Sequence, residues 1–160
     1  MVQATETRVV ECLRHAEANA ITMYLNAKRY HWSTFGPLYR DLHLFFDELA
    51  NDALAEFDPL AERLRMLGAD PVSTPREIEE AATVAIAQGK LPPAEMLAEA
   101  LNNERRIIDE MRAAARIADE SGDPGTNDLF ATTVQTHEKH AWFIREILHQ
   151  QDGLGGSNGR

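Results

Sequence analysis

The chain has 160 residues, 44% of them hydrophobic, which is enough for one domain whose core needs no disulfide or structural metal. Cys12 is the only cysteine, which excludes an intrachain disulfide and a thiolate metal cluster. We expect a small packed residue at Cys12 rather than a redox switch. The net charge of −10 disfavours electrostatic attraction to nucleic acid and is compatible with gathering cations.

The first residues give no sign of a secretory leader, and the last residues differ in composition from the rest of the chain. Residues 1–7 lack the basic and apolar segments of a secretory leader, and no apolar run approaches the roughly 20 residues of a membrane span. We therefore expect a soluble, cytoplasmic protein. Residues 151–160 are rich in glycine, and we predict a disordered tail there, after a domain that spans residues 1–150.

The first predicted element is a long amphipathic helix over residues 5–33. Its apolar or small side chains recur every three or four positions, and His31 continues the same stripe. The positions expected to face the core are Val9, Leu13, Ala16, Ala20, Tyr24 and Ala27.

A second helix is predicted from about Tyr39 to Leu67. It follows a break at Gly36 and Pro37, and Gly68 is expected to act as its C-terminal cap. The positions expected to be buried are Leu42, Phe46, Leu49, Ala53, Leu60, Leu64 and Leu67.

Pro59 lies inside this second helix. There it removes one backbone hydrogen bond and disfavours helical geometry at Asp58, at a cost of about 3 kcal/mol. Two local structures are open: a kink near residues 55–58, or a restart with Asp58 as N-cap and Pro59 in the first helical position. A capping role would weaken Asp58 as a metal ligand, and we favour the kink.

The middle connection, residues 69–92, is rich in proline. Within it, Pro75 to Ala87 can form a short helix that Thr74 opens as N-cap.

Two more long helices follow. One fits Pro93 to Asp119 and ends at Ser121 and Gly122, and the last is capped by Thr126 and runs to about residue 150. The positions expected to face inward are Leu97, Leu101, Ile108, Met111, Ala115, Leu129, Val134, Trp142, Ile144 and Leu148. Four long helices with a long middle connection predict an all-α fold, a four-helix bundle.

Two pairs of potential metal ligands lie on the second helix: His43 with Asp47, and Asp58 with Glu62. Each pair is spaced i,i+4, so both members share one helical face. The 15 residues from His43 to Asp58 leave the pairs within roughly 60° around the axis but about 22 Å apart along it. One ion cannot bridge them within one chain. An antiparallel copy of the helix across a two-fold axis would join the two pairs, so the spacing hints at a metal site shared between subunits.

The type of metal is open at this point. Imidazole with carboxylate suits iron, manganese or zinc. Either pair alone is more often structural or solvated than ligating. His137 and His140, spaced i,i+3 on the last helix, could also bind a metal, but a second carboxylate pair is missing from the sequence around them.

Together with the two ligand pairs, residues elsewhere in the chain match the sequence motif of a known family. They are His31-Trp32, Gly36-Pro37, Leu42-His43, Phe46-Asp47-Glu48, Asp58, Ala61-Glu62-Arg63, Leu67-Gly68, Pro71, Gly122-Asp123, Gly125-Thr126, Asp128-Leu129-Phe130, Glu138-Lys139 and Trp142. From about residue 10 to residue 148, the chain resembles the Dps family, the mini-ferritins, and the motif is specific because several spaced residues must coincide.

The resemblance implies a ferritin-like four-helix bundle, with a short extra helix between helices 2 and 3, assembled as a hollow homo-dodecamer. It implies a ferroxidase centre, with two irons, that takes His31, His43 and Asp47 from one subunit and Asp58 and Glu62 from the other. The implied reaction is oxidation of Fe(II), preferably by hydrogen peroxide, with storage of ferric oxide and protection against oxidative damage. Zinc or manganese are possible substitutes for iron.

The resemblance also suggests roles for residues around this centre. Trp32, beside a ligand, could quench stray one-electron oxidation or be an ordinary packed aromatic. Larger ferritins place two Glu-x-x-His motifs in the bundle core, whereas this chain has one, Glu146 to His149, so such a site is not expected.

Two carboxylate sets are expected to handle iron outside the centre, with an ordinary solvated surface as the alternative for each. Glu48 and Asp52 could nucleate mineral. Asp119, Asp123 and Asp128 could line acidic three-fold pores that draw cations inward.

Two other functions compete with iron oxidation. Members of the family condense DNA through lysine-rich tails. Here, Arg8 is the only basic residue among the first ten, and Arg160 is the only one among the last ten. We therefore expect DNA binding to be weak or absent. A helical bundle without catalysis would explain the periodicity, but not the coincidence of five ligands at family positions.

Overall fold

The computed structural model describes residues 2–149, with side chains described from residue 7 onwards. This part of the chain contains five α-helices and no strand. The helices are α1 (Val2–Ser33), α2 (Tyr39–Met66), α3 (Pro75–Ala81), α4 (Pro93–Glu120) and α5 (Pro124–Ile147). The prediction of an all-α bundle with a short extra helix is confirmed. The predicted tail at 151–160 lies outside the described residues.

The four long helices pack as two hairpins. One hairpin is formed by α1 and α2, and the other by α4 and α5. Contacts between α1 and α4 join the two hairpins, and the short helix α3 packs on α1. Two clusters of buried side chains fill the interior, one around Tyr30 and Phe46 and one around Leu13 and Phe130. Within the described residues, no helix is long and apolar enough to cross a membrane.

Helix α2 runs unbroken through Pro59. The alternative of a restart with Asp58 as N-cap is therefore excluded. Asp58 and Pro59 are both exposed, so the carbonyl that loses its hydrogen bond to the proline is on the solvent side, where water can solvate it. Beyond the proline, Leu60 and Leu64 are fully buried, and this packing holds the last turns of the helix in place.

Helix α2 ends as the glycine at its C-terminus predicts. Gly68 has a φ of +78°, and the N–H groups of Gly68 and Ala69 donate to the carbonyls of Arg65 (3.0 Å) and Leu64 (2.9 Å). This pair of bonds is the Schellman arrangement, which favours glycine because of its left-handed backbone.

The short helix α3 ends at Ala81, earlier than the predicted Ala87, although Thr74 does cap it and forms a capping box with Glu77. The chain is extended after α3, and its N–H groups donate to asparagine side chains of α1 and α4 instead of continuing a helix. These bonds join Thr83 to Asn19 (2.8 Å), Ala85 to Asn103 (3.0 Å) and Ala87 to Asn26 (2.8 Å).

Helix α5 begins at Pro124 with Asp123 as its N-cap, so the prediction of Thr126 as the cap was wrong. The prediction of which α5 residues face the core was also partly wrong. Trp142 is 50% exposed, whereas Phe130, which we did not expect in the core, is fully buried. The inward face follows Phe130, His137 and Ile144, and Trp142 lies to one side of it.

Several other positions predicted to be buried are not fully so. Leu67 is exposed, because it follows the last turn of α2. The positions that are only partly buried are Tyr24, Ala115, Leu129, Val134 and Leu148. Cys12 packs at the edge of the second cluster, as expected for a small packed residue.

Candidate functional site

The structure brings His31 and His43 together. They lie near the end of α1 and near the beginning of α2, and the short turn between these antiparallel helices makes them neighbours. Their imidazole rings stack with centroids 3.6 Å apart and an interplanar angle of 20°. The Tyr39 ring also stacks on His43, at 5.2 Å.

A reciprocal pair of hydrogen bonds fixes both imidazoles. Nδ1 of His31 donates to the carbonyl of His43 at 2.6 Å, and Nδ1 of His43 donates to the carbonyl of His31 at 2.8 Å. Because a carbonyl oxygen can only accept, each Nδ1 carries a proton. In the neutral ring the lone pair is then on Nε2, which is the form that binds a metal ion.

Asp47 lies one helical turn after His43. Its Oδ1 is 2.6 Å from Nζ of Lys28 and 4.0 Å from Nδ1 of His31. The hydrogen bond from Lys28 holds the pKa of Asp47 below its ordinary value. This carboxylate is therefore ionised beside the two imidazoles.

Asp58 and Glu62 are exposed on α2, and in the described part of the chain neither side chain makes a hydrogen bond or an ion pair. Among residues 2–149, no compact group of three ligating atoms includes either carboxylate or the histidine pair. Within one chain, the two predicted sets of ligands are therefore not brought together. Trp32, next to His31, is 70% exposed, so it is not a packed core aromatic within the chain.

The three acids expected at a pore differ in their surroundings. Asp119 and Asp128 are exposed. Asp123 instead accepts hydrogen bonds from Arg63 (2.5 Å) and from the backbone and hydroxyl of Thr126 (2.9 and 2.5 Å). Partial burial by itself would raise the pKa of Asp123, but the hydrogen bonds from Thr126 and the Arg63 guanidinium hold it below its ordinary value.

The two acids expected to nucleate mineral also differ. Glu48 is exposed on α2, whereas Oδ2 of Asp52 is bonded to Nε2 of His140 at 2.9 Å. Asp52, whose side chain is 45% exposed, thus lies at the outer edge of a cluster that extends into the bundle. The nucleation role of both residues stays a prediction.

We call Asp52, Glu56, Glu104, His137 and His140 the interior cluster. Glu104, His137 and His140 are only 1%, 2% and 4% exposed, and their ligating atoms lie within 4.8 Å of one another. The missing carboxylates beside the two histidines are therefore present, but they come from α2 and α4 rather than from neighbouring residues of α5.

Protonation in the interior cluster follows from its contacts. Burial alone would lower the pKa of His137, but the carboxylates of Glu104 and Glu56 outweigh it and raise the pKa to about 10. Burial alone would likewise raise the pKa of Glu104, and the two histidines hold it below its ordinary value. His137 and Glu104 thus form a buried pair of protonated imidazole and ionised carboxylate.

Sequence reasoning missed Glu56 and Glu104, although the pattern contained a signal. Glu104 occupies the apolar stripe of α4 between Leu101 and Ile108, and Glu56 occupies that of α2 between Ala53 and Leu60. A carboxylate in a core position is rarely tolerated without a buried partner.

Comparison with known proteins identifies relatives of the chain. The ferritin-like domain model matches residues 10–153. The DNA protection during starvation protein of Brevibacillus brevis is 30% identical over 148 residues, which cover 92% of this chain and 99% of that protein. The X-ray structure of Dps from Thermosynechococcus elongatus is 46% identical with a TM-score of 0.94, and the match covers 97% of this chain and 99% of that one.

A more distant structure supports the same grouping. Dps from Vibrio cholerae O1, described as a member of a broad superfamily of ferritin-like diiron-carboxylate proteins, is 25% identical with a TM-score of 0.86. The match covers 91% of this chain and 92% of that one. The resemblance found in the sequence is confirmed.

Proposed function

The chain belongs to the Dps family of ferritin-like proteins, and we propose that it oxidises Fe(II) at a centre shared between two subunits. The shared centre consists of His31, His43 and Asp47 of one subunit with Asp58 and Glu62 of the other. We propose that the subunits form a hollow homo-dodecamer, which stores the ferric oxide and thereby limits oxidative damage. Iron is the substrate in this scheme, two ions per centre, and hydrogen peroxide is the preferred oxidant.

The observation that carries the proposal is that each half-site lacks what the other offers. At the first half-site, the reciprocal hydrogen bonds engage Nδ1 of His31 and His43 and leave each Nε2 as the nitrogen that can bind a metal ion. At the second, Asp58 and Glu62 are exposed carboxylates without partners among the described residues. About 22 Å of α2 separates the half-sites, so only a second subunit can bring them together.

The donor set suits the reaction. Hard carboxylate oxygens stabilise the higher charge of Fe(III), and neutral imidazoles complete the ligand shell. Two Fe(II) ions each give one electron to one peroxide, which takes up two protons, breaks its O–O bond and leaves as two water molecules. Because both electrons reach the same peroxide, no hydroxyl radical is released. We propose that Trp32, which is exposed beside His31, quenches an occasional one-electron event.

The direct test adds Fe(II) anaerobically to the purified protein, then peroxide, and follows the absorbance of the ferric product. We expect fast oxidation by the unaltered protein and a rate near the protein-free background for Asp58→Asn with Glu62→Gln. The matched control, Asp109→Asn with Glu79→Gln, neutralises one exposed aspartate and one exposed glutamate outside the shared centre and should oxidise iron normally. Equal rates for all three proteins would contradict the proposal.

Compaction of DNA is a second candidate, since the Brevibacillus brevis relative is named for DNA protection during starvation. The net charge of −10 opposes it, because affinity for DNA rises with the number of basic groups that meet phosphate. We expect weak or absent binding at physiological salt. A saturable complex in a gel shift at moderate salt would favour this function instead.

A further inference from the structure

The carboxylate of Glu104 lies between two imidazoles in the middle of the bundle. Its Oε2 is 2.6 Å from Nδ1 of His137, and its Oε1 is 3.4 Å from Nδ1 of His140. The two rings are edge to face, with centroids 6.0 Å apart and an interplanar angle of 88°. Two ring nitrogens therefore approach one carboxylate from different directions.

The outer nitrogen of each ring is held by a carboxylate of α2. Nε2 of His137 is 3.0 Å from Oε2 of Glu56, and Nε2 of His140 is 2.9 Å from Oδ2 of Asp52. When Nδ1 of each ring gives up its proton, Nε2 keeps its own and donates it to the α2 carboxylate, so the lone pair of each Nδ1 is on the Glu104 side. Metal-binding histidines almost always have this support, a carboxylate or carbonyl on the nitrogen away from the ion.

A separate observation concerns Glu56. Its side chain is only 10% exposed, and its Oε1 is buried with no hydrogen-bond partner among the described residues. A buried carboxylate oxygen without a partner is unfavourable, and in native proteins it often marks a missing water or ion. The interior cluster also has three carboxylates for two imidazoles, so it has capacity for further positive charge.

There is also some room at this point. A cavity of about 10 Å³ is lined by Glu104, His137 and His140 together with two asparagines and apolar side chains of α1, α2 and α4. This volume is close to the minimum that holds a single water molecule, so it suits one small ion but no organic ligand. Bonds of about 2.0–2.2 Å to one metal require only a small opening of the Glu104 and His137 contact.

We propose that the interior cluster is a mononuclear site for a divalent transition metal of the zinc or iron(II) type. Glu104 and the Nδ1 atoms of His137 and His140 are the ligands, and Glu56 and Asp52 orient the two imidazoles. All five residues belong to one chain, so the site does not depend on the shared centre or on assembly. Binding of the ion displaces the Nδ1 protons that join Glu104 to the imidazoles.

The first test is a titration of the metal-free, intact assembly with Co²⁺, whose visible absorption reports nitrogen and oxygen ligation. To remove the nitrogen ligands of the shared centre, all proteins carry His31→Gly and His43→Gly. We expect one Co²⁺ per chain, and we expect Glu104→Gln, which keeps the size of the side chain, to weaken this binding by at least about tenfold. Glu95→Gln, at an exposed position of α4, is the matched control and should bind like the background protein.

Equal Co²⁺ binding by the Glu104→Gln and Glu95→Gln proteins would overturn the proposal.

A second measurement avoids any effect of the substitutions on folding. Crystals of the unaltered protein soaked in Zn²⁺ should show anomalous density between Glu104, His137 and His140. Its absence from crystals that bind Zn²⁺ elsewhere would also overturn the proposal. Neither result depends on ferroxidase activity, so the proposed function can fail while this site stands, or the reverse.

Discussion

Arg63 near the end of α2 and Asp123 at the start of α5 form an ion pair of 2.5 Å. Arg63 also donates through Nε to the hydroxyl of Thr126 at 2.8 Å, and that hydroxyl is bonded to Asp123. Gly125 leaves space for the guanidinium, because a Cβ there would lie 3.1 Å from its nitrogens. This arrangement joins the two hairpins. Asp123 therefore stabilises the fold, in addition to any role at a pore.

Asp123→Ala should lower the free energy of unfolding by about 1–2 kcal/mol at neutral pH, because it removes the N-cap of α5 and leaves Arg63 without its partner. The pKa of Asp123 in the folded chain is below its ordinary value of 3.8, so the stabilisation is complete above that pH and is lost as the pH falls through the folded-state pKa. Urea unfolding at pH 7 and at successively lower pH measures both effects.

The control for this prediction is Asp128→Ala, an exposed aspartate on the same helix, which should change the stability by less than about 0.5 kcal/mol. A loss of stability for Asp123→Ala that stayed constant into strongly acidic solution would show that the ionised carboxylate is not responsible.

Neutralising the exposed acids Asp119 and Asp128 together, as asparagines, should slow iron uptake without abolishing oxidation. A ring of carboxylates at a pore raises the local concentration of cations, and this steering weakens as salt screens the charges. We expect a several-fold slower uptake at low ionic strength and little difference at high ionic strength, followed as growth of the ferric mineral. Equal rates at low salt would remove these residues from the uptake route.

Replacing both stacked imidazoles, His31→Gly with His43→Gly, should slow peroxide-driven oxidation of Fe(II) by at least about tenfold, because two ligands of the shared centre are lost. Stopped-flow absorbance measures the rate. His15→Gly removes an exposed histidine from the same helix as His31 and controls for the glycine substitution. Unchanged kinetics in the double variant would refute the assignment.

Two inactive variants should restore activity when their subunits are mixed. One variant lacks the imidazoles of His31 and His43, and the other lacks the carboxylates of Asp58 and Glu62. In a mixed two-fold pair, one of the two centres receives all its native ligands, so random co-assembly should give about a quarter of the unaltered rate. Co-expressed subunits that remain as inactive as either variant alone would show that the centre is not shared.

Much of the fold could be predicted because apolar residues recur with the period of a helix, and all four long helices were found in this way. The boundaries that were wrong depend on side chains distant in sequence. The end of α3 is an example, since Asn19, Asn26 and Asn103 bind the backbone that would otherwise continue the helix. Spacing along the chain cannot reveal such partners.

The candidate sites, too, could be predicted where their residues are close in sequence and were missed where they are distant. The pairs on α2 were visible because their members are four residues apart on one helix. The interior cluster draws on α2, α4 and α5, and only packing brings Glu104 next to His137. Glu56 and Glu104 interrupt the apolar stripes of their helices. A search for apolar periodicity alone passes over such polar residues.

In the proposed centre, helix α2 carries ligands at two places, so its length sets the distance between the two reaction sites of a pair of subunits. One residue inserted between Asp47 and Asp58 would leave every ligand in the chain, but it would turn Asp58 and Glu62 by about 100° and shift them by about 1.5 Å. Both reaction sites would then be damaged together, since each uses opposite parts of the same helix from the two subunits. The number of residues in this segment should therefore tolerate less change than the identity of its outward-facing side chains.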